Sequence, residues 1–345
     1  MMPMQRCTKF SILATACMAC TGIAAIFLLI SGGPVSAQPR AAQVAPPANE
    51  LTTRTFTDEI GRRVKVPAKI NRIVSLAPNL TEIIFALKQE NHLAGDTDFC
   101  DYPSAAAQKP HIGGPVNPSM EEIVKLRPDV ILATSINRRE TVAALDRLGL
   151  SVYVTDPHSV NEMIASVESI GSLLGAEKTA AELAGNLRAR LAEVDRRLAP
   201  TSVSRVLFIV WRNPLISIGR STFIADALRR AGARSVIEAE TEWPRVSLEE
   251  IIRLQPEVIV FAAAHAGDTQ RDIDALRSQP GWRGVDALRT GSIVSVSDAI
   301  NRPAPRMVDA VEQLARLLHP AALGSQSVPV ANPKFVIEEA CACAP

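Results

Sequence analysis

Two segments of this chain carry nearly the same sequence: SMEEIVKLRPDVIL at 119–132 and SLEEIIRLQPEVIV at 247–260. Eight of their fourteen positions are identical, at a constant offset of 128 residues. Each copy has the pattern of a serine N-cap, a glutamate three residues later, a short helix, a proline and a buried strand. Self-similarity over this long period predicts two lobes of one α/β architecture, not a solenoid of short units.

Apolar runs within and around the two copies predict the strands. They lie at 73–76, 130–133 and 152–154 in the first half and at 206–210, 258–261 and 293–296 in the second. Helical patterns separate them, and one begins after Pro78 with Asn79 as its expected N-cap. Short buried strands that alternate with helices are typical of parallel sheets. The predicted fold class is α/β, with two Rossmann-like lobes and parallel-rich sheets.

A longer helical pattern lies between the lobes. Leucine and valine recur at three- and four-residue steps over 177–199, and Pro200 stops the pattern. A helix of this length measures about 35 Å. It predicts one long rigid connector helix, and therefore only a small closure of the lobes when a ligand binds.

Changes in composition divide the chain into six predicted parts. They are a signal peptide or signal anchor at 1–37, a linker at 38–51, an N-terminal lobe at 52–160, a helical region with the connector at 161–200, a C-terminal lobe at 201–320 and an irregular tail at 321–345. The N-terminal lobe opens on a polar alternating stretch at 53–67 that predicts a β-hairpin.

The N-terminus reads as an export signal. An uncharged run of 20 residues, Ser11 to Ile30, is long enough to cross a bilayer as a helix. Small residues then lead to Ala37, which favours cleavage after that residue. Retention as an anchor, or lipidation at Cys17 or Cys20, stays open. All three alternatives place the body of the protein outside the cytoplasmic membrane, in the periplasm.

Several function classes are excluded or disfavoured. Lys+Arg 37 against Asp+Glu 36 gives no basic surface for nucleic acid. The nucleophile elbow, the phosphate-binding loops and the zinc-protease helix motif are all absent from the sequence. The five histidines share no ligand-like spacing, and Cys100 is the one cysteine in the predicted lobes. The sequence therefore predicts a binding protein with no catalytic residues, no metal site and no intrinsic cofactor.

Aromatic residues make up only 4% of the chain, so their positions are informative. Ligands of α/β sheets bind beyond the carboxyl ends of the strands, and large flat ligands need apolar faces and a few polar groups. The predicted ligand-binding residues in those loops are Phe99, Tyr102, Trp211, Trp243, Asp298 and Arg302. Two alternatives stay open: the tryptophans cover sheet edges, and Asp298 and Arg302 form a salt bridge within their loop. Trp282 is expected to pack in the interior.

Glu121 and Glu249 occupy the same place in the two repeats, at the second position of each predicted helix. The helix dipole favours a carboxylate there, so both side chains could serve only to stabilise the helix N-termini. One such acid on each lobe would equally provide a two-point docking surface.

The combination of RIVSLAPNLTEIIFAL (72–87), DFCDYP (98–103), the two repeats and VSDAINRPAPRMVDAVEQL (296–314) resembles the helical-backbone substrate-binding proteins of ABC importers. The likeness spans about 52–320 and is to the cobalamin-binding members. It implies a class III periplasmic binding protein, a monomer that holds its ligand between two lobes. It also implies that Glu121 and Glu249 meet arginines of a permease homodimer, which works with ATPase subunits, and that Phe99, Trp243, Asp298 and Arg302 occupy pocket positions.

One departure bears on the ligand. Where the cobalamin-binding members carry a tryptophan, this chain has Gly114-Pro115, so one wall of the corrin clamp is missing. The expected transported ligand is cobalamin, with haem or a ferric siderophore as alternatives within the family. A chelatase-like extracytoplasmic enzyme and a membrane-anchored interaction protein are the alternatives from other classes.

Overall fold

A computed structural model describes residues 53–263 and 268–324 of the chain. The predicted export segment, the linker, His265 and the cysteines at 341 and 343 lie outside the described residues, as does the predicted tail from 325 onward. The described residues belong to one compact unit.

The N-terminal lobe begins with the predicted hairpin, β1 (Thr53–Thr57) paired antiparallel with β2 (Arg63–Pro67). Its other strands are β3 (Ile73–Ser75), β4 (Leu93–Gly95), β5 (Val130–Thr134) and β6 (Val152–Thr155). They form a parallel sheet in the order β4-β3-β5-β6. The helices are α1 (Pro78–Ala86), α2 (Met120–Lys125) and α3 (Arg139–Arg147).

The linking helices are α4 (Val160–Leu174) and α5 (Glu177–Leu198). The C-terminal lobe then has strands β7 (Ser204–Ile209), β8 (Trp211–Arg212), β9 (Leu215–Ile216), β10 (Ala233–Ser235), β11 (Val258–Ala263) and β12 (Ile293–Ser297). Its helices are α6 (Phe223–Arg230), α7 (Leu248–Leu254), α8 (Asp268–Ser278), α9 (Asp286–Thr290), α10 (Met307–Leu318) and α11 (Pro320–Leu323).

Both lobes have the same sheet topology, which confirms the predicted duplication. The second sheet is parallel with the order β10-β7-β11-β12, and β8 and β9 form a separate short hairpin. Counted along the chain, the four strands of each sheet have the spatial order second, first, third, fourth, so that the second strand is at one edge and the fourth at the other. Parallel sheets of this kind leave their ligand-binding loops at the carboxyl ends of the strands.

The duplication extends to tertiary contacts. Asp129 and Glu257, which match in the repeat, each accept a hydrogen bond from the backbone N–H of an arginine, Arg72 at 2.9 Å and Arg205 at 3.0 Å. Both arginine side chains also donate to backbone carbonyls at the C-terminal ends of α2 and α7. The same local device therefore ties helix to sheet in the two lobes.

The helix caps agree with the sequence in part. Ser119 and Ser247 accept hydrogen bonds from the backbone N–H groups of Glu122 and Glu250, at 3.3 and 3.1 Å. In the first copy the reciprocal half of the capping box does not form, because the Ser119 N–H donates to the carbonyl of Ile112 at 2.7 Å.

The predicted N-cap at Asn79 is wrong. Helix α1 begins one residue earlier, at Pro78, with Ala77 in the N-cap position. Proline is favoured in the first turn because its missing N–H leaves no unsatisfied donor there. Asn79 consequently lies inside the helix, where it is buried.

The connector predicted at 177–199 is present as α5, which has 22 residues. Its buried side chains, among them Leu187 and Leu191, belong to one hydrophobic cluster that also contains Ile73 of β3 and Phe208 of β7. Because the two sheets share this core through the linking helices, the lobes are joined by packed helix rather than by hinge strands. Of the helices in the described ranges, none has the length and apolar character needed to cross a bilayer.

The contact between α4 and α5 depends on Gly171. A methyl group at this position would overlap the side chain of Ala180, and both elements are helical, so neither can yield easily. We expect Gly171→Ala to lower the free energy of unfolding by about 1–3 kcal/mol, measured by urea denaturation. Gly185→Ala on the exposed face of α5 is the matched control, since an added methyl group there meets no atom within 4 Å. An equal effect of the two changes would contradict the close packing of α4 on α5.

Candidate functional site

The four aromatic residues predicted to bind ligand are all exposed. The exposed fractions are 61% for Phe99, 45% for Tyr102, 61% for Trp211 and 44% for Trp243. Every other Phe, Tyr and Trp in the described ranges is buried or half-buried, including Trp282, as expected from the sequence. Exposed rings in both lobes, in a protein with so few rings, indicate a surface that is covered by a partner or a ligand.

The loop after β4 carries Phe99 and Tyr102. Its backbone is fixed by a hydrogen bond from the N–H of Asp98 to the carbonyl of Gly113, at 3.1 Å. The ring of Phe99 lies beside Gly114, since a methyl group on that glycine would come within 3.5 Å of the ring. A methyl group on Gly114 would make an ordinary van der Waals contact with the Phe99 ring, so the two positions are neighbours in the loop cluster.

Asp96 is buried at the base of the same loop. One of its carboxylate oxygens contacts His111 Nδ1 at 3.2 Å, and the other is buried with no hydrogen-bond partner. Burial raises the pKa of this carboxyl from its usual 3.8 to about 6, although the His111 interaction opposes the shift. Folding therefore stabilises the protonated form of Asp96 relative to the unfolded chain, although the carboxyl is still mostly ionised at neutral pH.

This shift predicts a pH dependence of stability. The folded state holds the proton of Asp96 up to a pH of about 6, whereas the unfolded state releases it near 3.8, so stability falls as the pH rises between these values. We expect Asp96→Asn to be more stable than the wild type at pH 8, by on the order of 1 kcal/mol, and to lose this advantage at pH 4. Urea denaturation across this range is the measurement. Asp98→Asn, in the same loop but exposed, is the control, and an equal gain from it would refute the assignment to Asp96.

In the C-terminal lobe, the β8–β9 hairpin and the loop at 240–246 carry Trp211 and Trp243. The indole N–H of Trp211 donates to the carbonyl of Asn213 at 2.8 Å. Ile216 of β9 forms a backbone bridge to the loop at Arg245. Since Trp211 pairs with Ile216 across the hairpin, backbone pairing links the segments that bear the two tryptophans.

A group of charged residues, the inter-lobe ion cluster, connects the lobes. Arg302 bonds to Asp101 at 2.6 and 3.2 Å and to Glu82 at 3.3 Å, and Arg306 bonds to Glu82 at 2.9 and 2.7 Å. Asp298 completes the cluster, 3.4 Å from Arg302. Burial acts to raise the pKa of Asp101, but hydrogen bonds and charge from Arg302 outweigh it, and the pKa lies below its usual value.

The ion cluster qualifies the predicted roles of Asp298 and Arg302. Both lie at the junction of the lobes, and the salt bridge within their loop is present. Arg302 also donates hydrogen bonds to Glu82 and Asp101 of the opposite lobe. A ligand that binds Arg302 would have to share or displace these contacts. Their part in ligand binding stays a prediction.

Two members of this cluster, Glu82 and Arg306, are not among the residues predicted from the sequence. Glu82 is buried, and its only signal is a carboxylate within the apolar helix TEIIFAL. The guanidinium carbon of Arg306 lies 3.6 Å from the ring centroid of Tyr102 and holds that ring by a cation–π contact. Tyr102 is thereby positioned by the opposite lobe.

A second contact between the lobes involves His158, after β6. Its two ring nitrogens lie 3.3 Å from Asp156 and 3.6 Å from Glu242, which precedes Trp243. Within the described ranges, no group of three or more His, Cys, Asp or Glu residues is arranged to hold a metal ion.

The two repeat glutamates are exposed, but their surroundings differ. Glu121 pairs with Lys125 at 2.8 Å. Glu249 has no ion-pair partner among the described residues, and hydrogen bonds from its own backbone N–H and from Ser247 hold its pKa below the usual value. Glu249 is therefore free to pair with a partner, whereas a partner of Glu121 would have to compete with Lys125, and the docking role of both stays a prediction.

Two parallel-sheet lobes of equal topology, a helical connector and exposed rings on the strand-end loops of both lobes define a class III periplasmic binding protein. The family model described as periplasmic binding protein matches residues 73–299, and the chain belongs to that family. It is a substrate-binding protein of the type that serves ABC importers.

Named relatives agree with this assignment. An uncharacterized ABC transporter substrate-binding lipoprotein of Bacillus subtilis is 27% identical over 307 residues, which cover 86% of this chain and 95% of the relative. The crystal structure of the periplasmic vitamin B12 binding protein of Vibrio cholerae has a TM-score of 0.66 at 25% identity, covering 73% of this chain and 98% of that one. A periplasmic heme-binding protein from Roseiflexus sp. RS-1, in its apo form, has a TM-score of 0.66 at 26% identity, with coverage of 73% and 99%.

Proposed function

We propose that this protein captures a cobalamin in the periplasm between its two lobes and delivers it to a homodimeric permease with ATPase subunits. The observation that carries the proposal is the exposure of Phe99, Tyr102, Trp211 and Trp243 on loops of both lobes, while the other described rings are covered. Flat apolar faces of this kind suit a large macrocycle. The Vibrio cholerae relative, a vitamin B12 binding protein, supports this ligand. The protein acts as a monomer.

Haem is the second candidate, and Tyr102 favours it. An exposed phenol is a known type of axial ligand for haem iron. Tyr102 is exposed, and the guanidinium of Arg306, 3.6 Å from the ring centroid, holds the ring in place. This chain also has Gly114-Pro115 where the cobalamin-binding members carry a tryptophan, so one aromatic contact to a corrin ring would be missing. The heme-binding relative from Roseiflexus supports this alternative.

The ligand is tested by absorbance spectra of the purified protein with aquocobalamin, haemin and ferric siderophores. We expect Tyr102→Phe to remove the iron–phenolate absorption of a haem complex and to weaken haem binding by about tenfold or more. The same change should leave cobalamin affinity within about threefold, because the aromatic face is kept. Leu148→Ala, an exposed apolar residue on a remote helix end, is the control. A bound haem whose spectrum is unchanged in Tyr102→Phe would exclude the tyrosine as its ligand.

A further inference from the structure

A surface pocket of about 650 Å³ lies in the C-terminal lobe between α7, the edge strand β10 and the loop at 236–246. Its charged lining consists of Arg205, Arg234, Arg245, Arg253, Glu238 and Glu250. Four arginines against two glutamates leave the pocket with a net charge of +2. We call it the arginine pocket. It lies on the helix that bears Glu249.

Among the described residues, one of the four arginines has a hydrogen-bond partner. Arg205 donates to the backbone carbonyls of Leu254 and Gln255. The side chains of Arg234, Arg245 and Arg253 are exposed and have no hydrogen-bond or ion-pair partner in the described part of the chain. Like charges that converge on one concave surface repel each other, so an anionic partner would lower the energy of this arrangement.

The corresponding place in the N-terminal lobe is electrostatically different. Arg253 matches Lys125 in the repeat, and Lys125 is neutralised by Glu121 and Glu122, each at 2.8 Å. In the C-terminal lobe Glu249 and Arg253 stand one helical turn apart on α7 without pairing. The second copy therefore offers a partner a free anion and a free cation side by side.

We propose that the arginine pocket is a second docking contact with the permease, and that it receives acidic side chains of the subunit that binds Glu249. The inference rests on the proposed function. Guanidinium groups that are exposed rather than enclosed fit the rim of a protein interface better than a site for a small anion. Because the matching lysine of the N-terminal lobe, Lys125, is already paired with Glu121 and Glu122, the two lobes engage the two identical permease subunits unequally.

The test uses spheroplasts of cells whose own copy has been deleted, supplied with purified protein and radiolabelled cyanocobalamin or haemin, whichever the spectra show to bind. The concentration of binding protein that gives half-maximal uptake reports docking. We expect Arg234→Glu combined with Arg253→Glu to raise this concentration by about tenfold or more, with ligand affinity unchanged by calorimetry. Arg63→Glu, on the exposed face of the N-terminal hairpin, is the control for charge. Arg234→Gln with Arg253→Gln should give a smaller increase in the same direction.

Each outcome of the uptake experiment supports or overturns the arginine pocket as a docking contact. A half-saturating concentration equal to that of Arg63→Glu overturns the arginine pocket as a docking contact. If charge reversal at Glu121 and Glu249 still impairs uptake in that case, the proposed function stands and only the further inference fails. If neither pair of changes affects uptake, both the docking glutamates and the pocket are excluded.

Discussion

Reversing the charge of both repeat glutamates, Glu121→Arg with Glu249→Arg, should abolish uptake and leave ligand affinity intact. The two carboxylates are exposed, one on each lobe, at equivalent positions of a duplicated helix. In the proposed mechanism they bind arginines of the two permease subunits, so their reversal replaces two attractions by repulsions, each of several kcal/mol. Uptake of radiolabelled ligand by cells, with a calorimetric titration of the purified variant, separates delivery from binding.

The control for this experiment matches both charge and local structure. Glu140 and Glu177 are also exposed acids in the first turn of a helix, in α3 and α5. Glu140→Arg with Glu177→Arg should therefore transport normally. If the Glu121 and Glu249 variant transports ligand as well as this control, the two glutamates serve only to stabilise their helices, which is the alternative that the helix dipole provides.

Removing the two exposed tryptophans, Trp211→Ala with Trp243→Ala, should weaken ligand binding by about two orders of magnitude or more. Each indole presents a large apolar face, and covering even half of it against a macrocycle contributes about 1–2 kcal/mol. Because both side chains are exposed, their loss should change the free energy of unfolding little. Affinity is measured by calorimetry and stability by urea denaturation.

A control variant and a contradicting result accompany this prediction. Leu148→Ala removes an exposed apolar side chain outside the strand-end loops and should leave affinity unchanged. A double tryptophan variant that binds as tightly as the wild type would place the ligand elsewhere, and the rings would then be coverings of the sheet edges.

The fold could be predicted from the repeat because a duplicated cap, helix and strand is a local pattern. The second lobe then follows from the first, although the edge strands β4 and β10 are not among the predicted strands. One local prediction that failed, Asn79 as an N-cap, failed because proline in a first turn competes with any cap one residue later. The exposure of Phe99 and Trp211 could likewise be anticipated from their places after strands.

The ion cluster could not be predicted in the same way. Arg306 and Glu82 are 224 residues apart in the sequence, and only the packing of one lobe on the other brings them together. A single carboxylate in an apolar helix gives no indication of its partner. Lys125 is neutralised by two glutamates, whereas the matching Arg253 is not. This difference depends on side-chain positions, which two nearly identical sequences do not reveal.

The most direct measurement of the central claim is a calorimetric titration of the wild-type protein with aquocobalamin, haemin and ferric siderophores in parallel. We expect one of these ligands to bind saturably at one site per monomer, and the Trp211→Ala with Trp243→Ala variant to lose that binding. No saturable heat with any of the three ligands would contradict the assignment of this protein as an importer's capture component for large metal chelates.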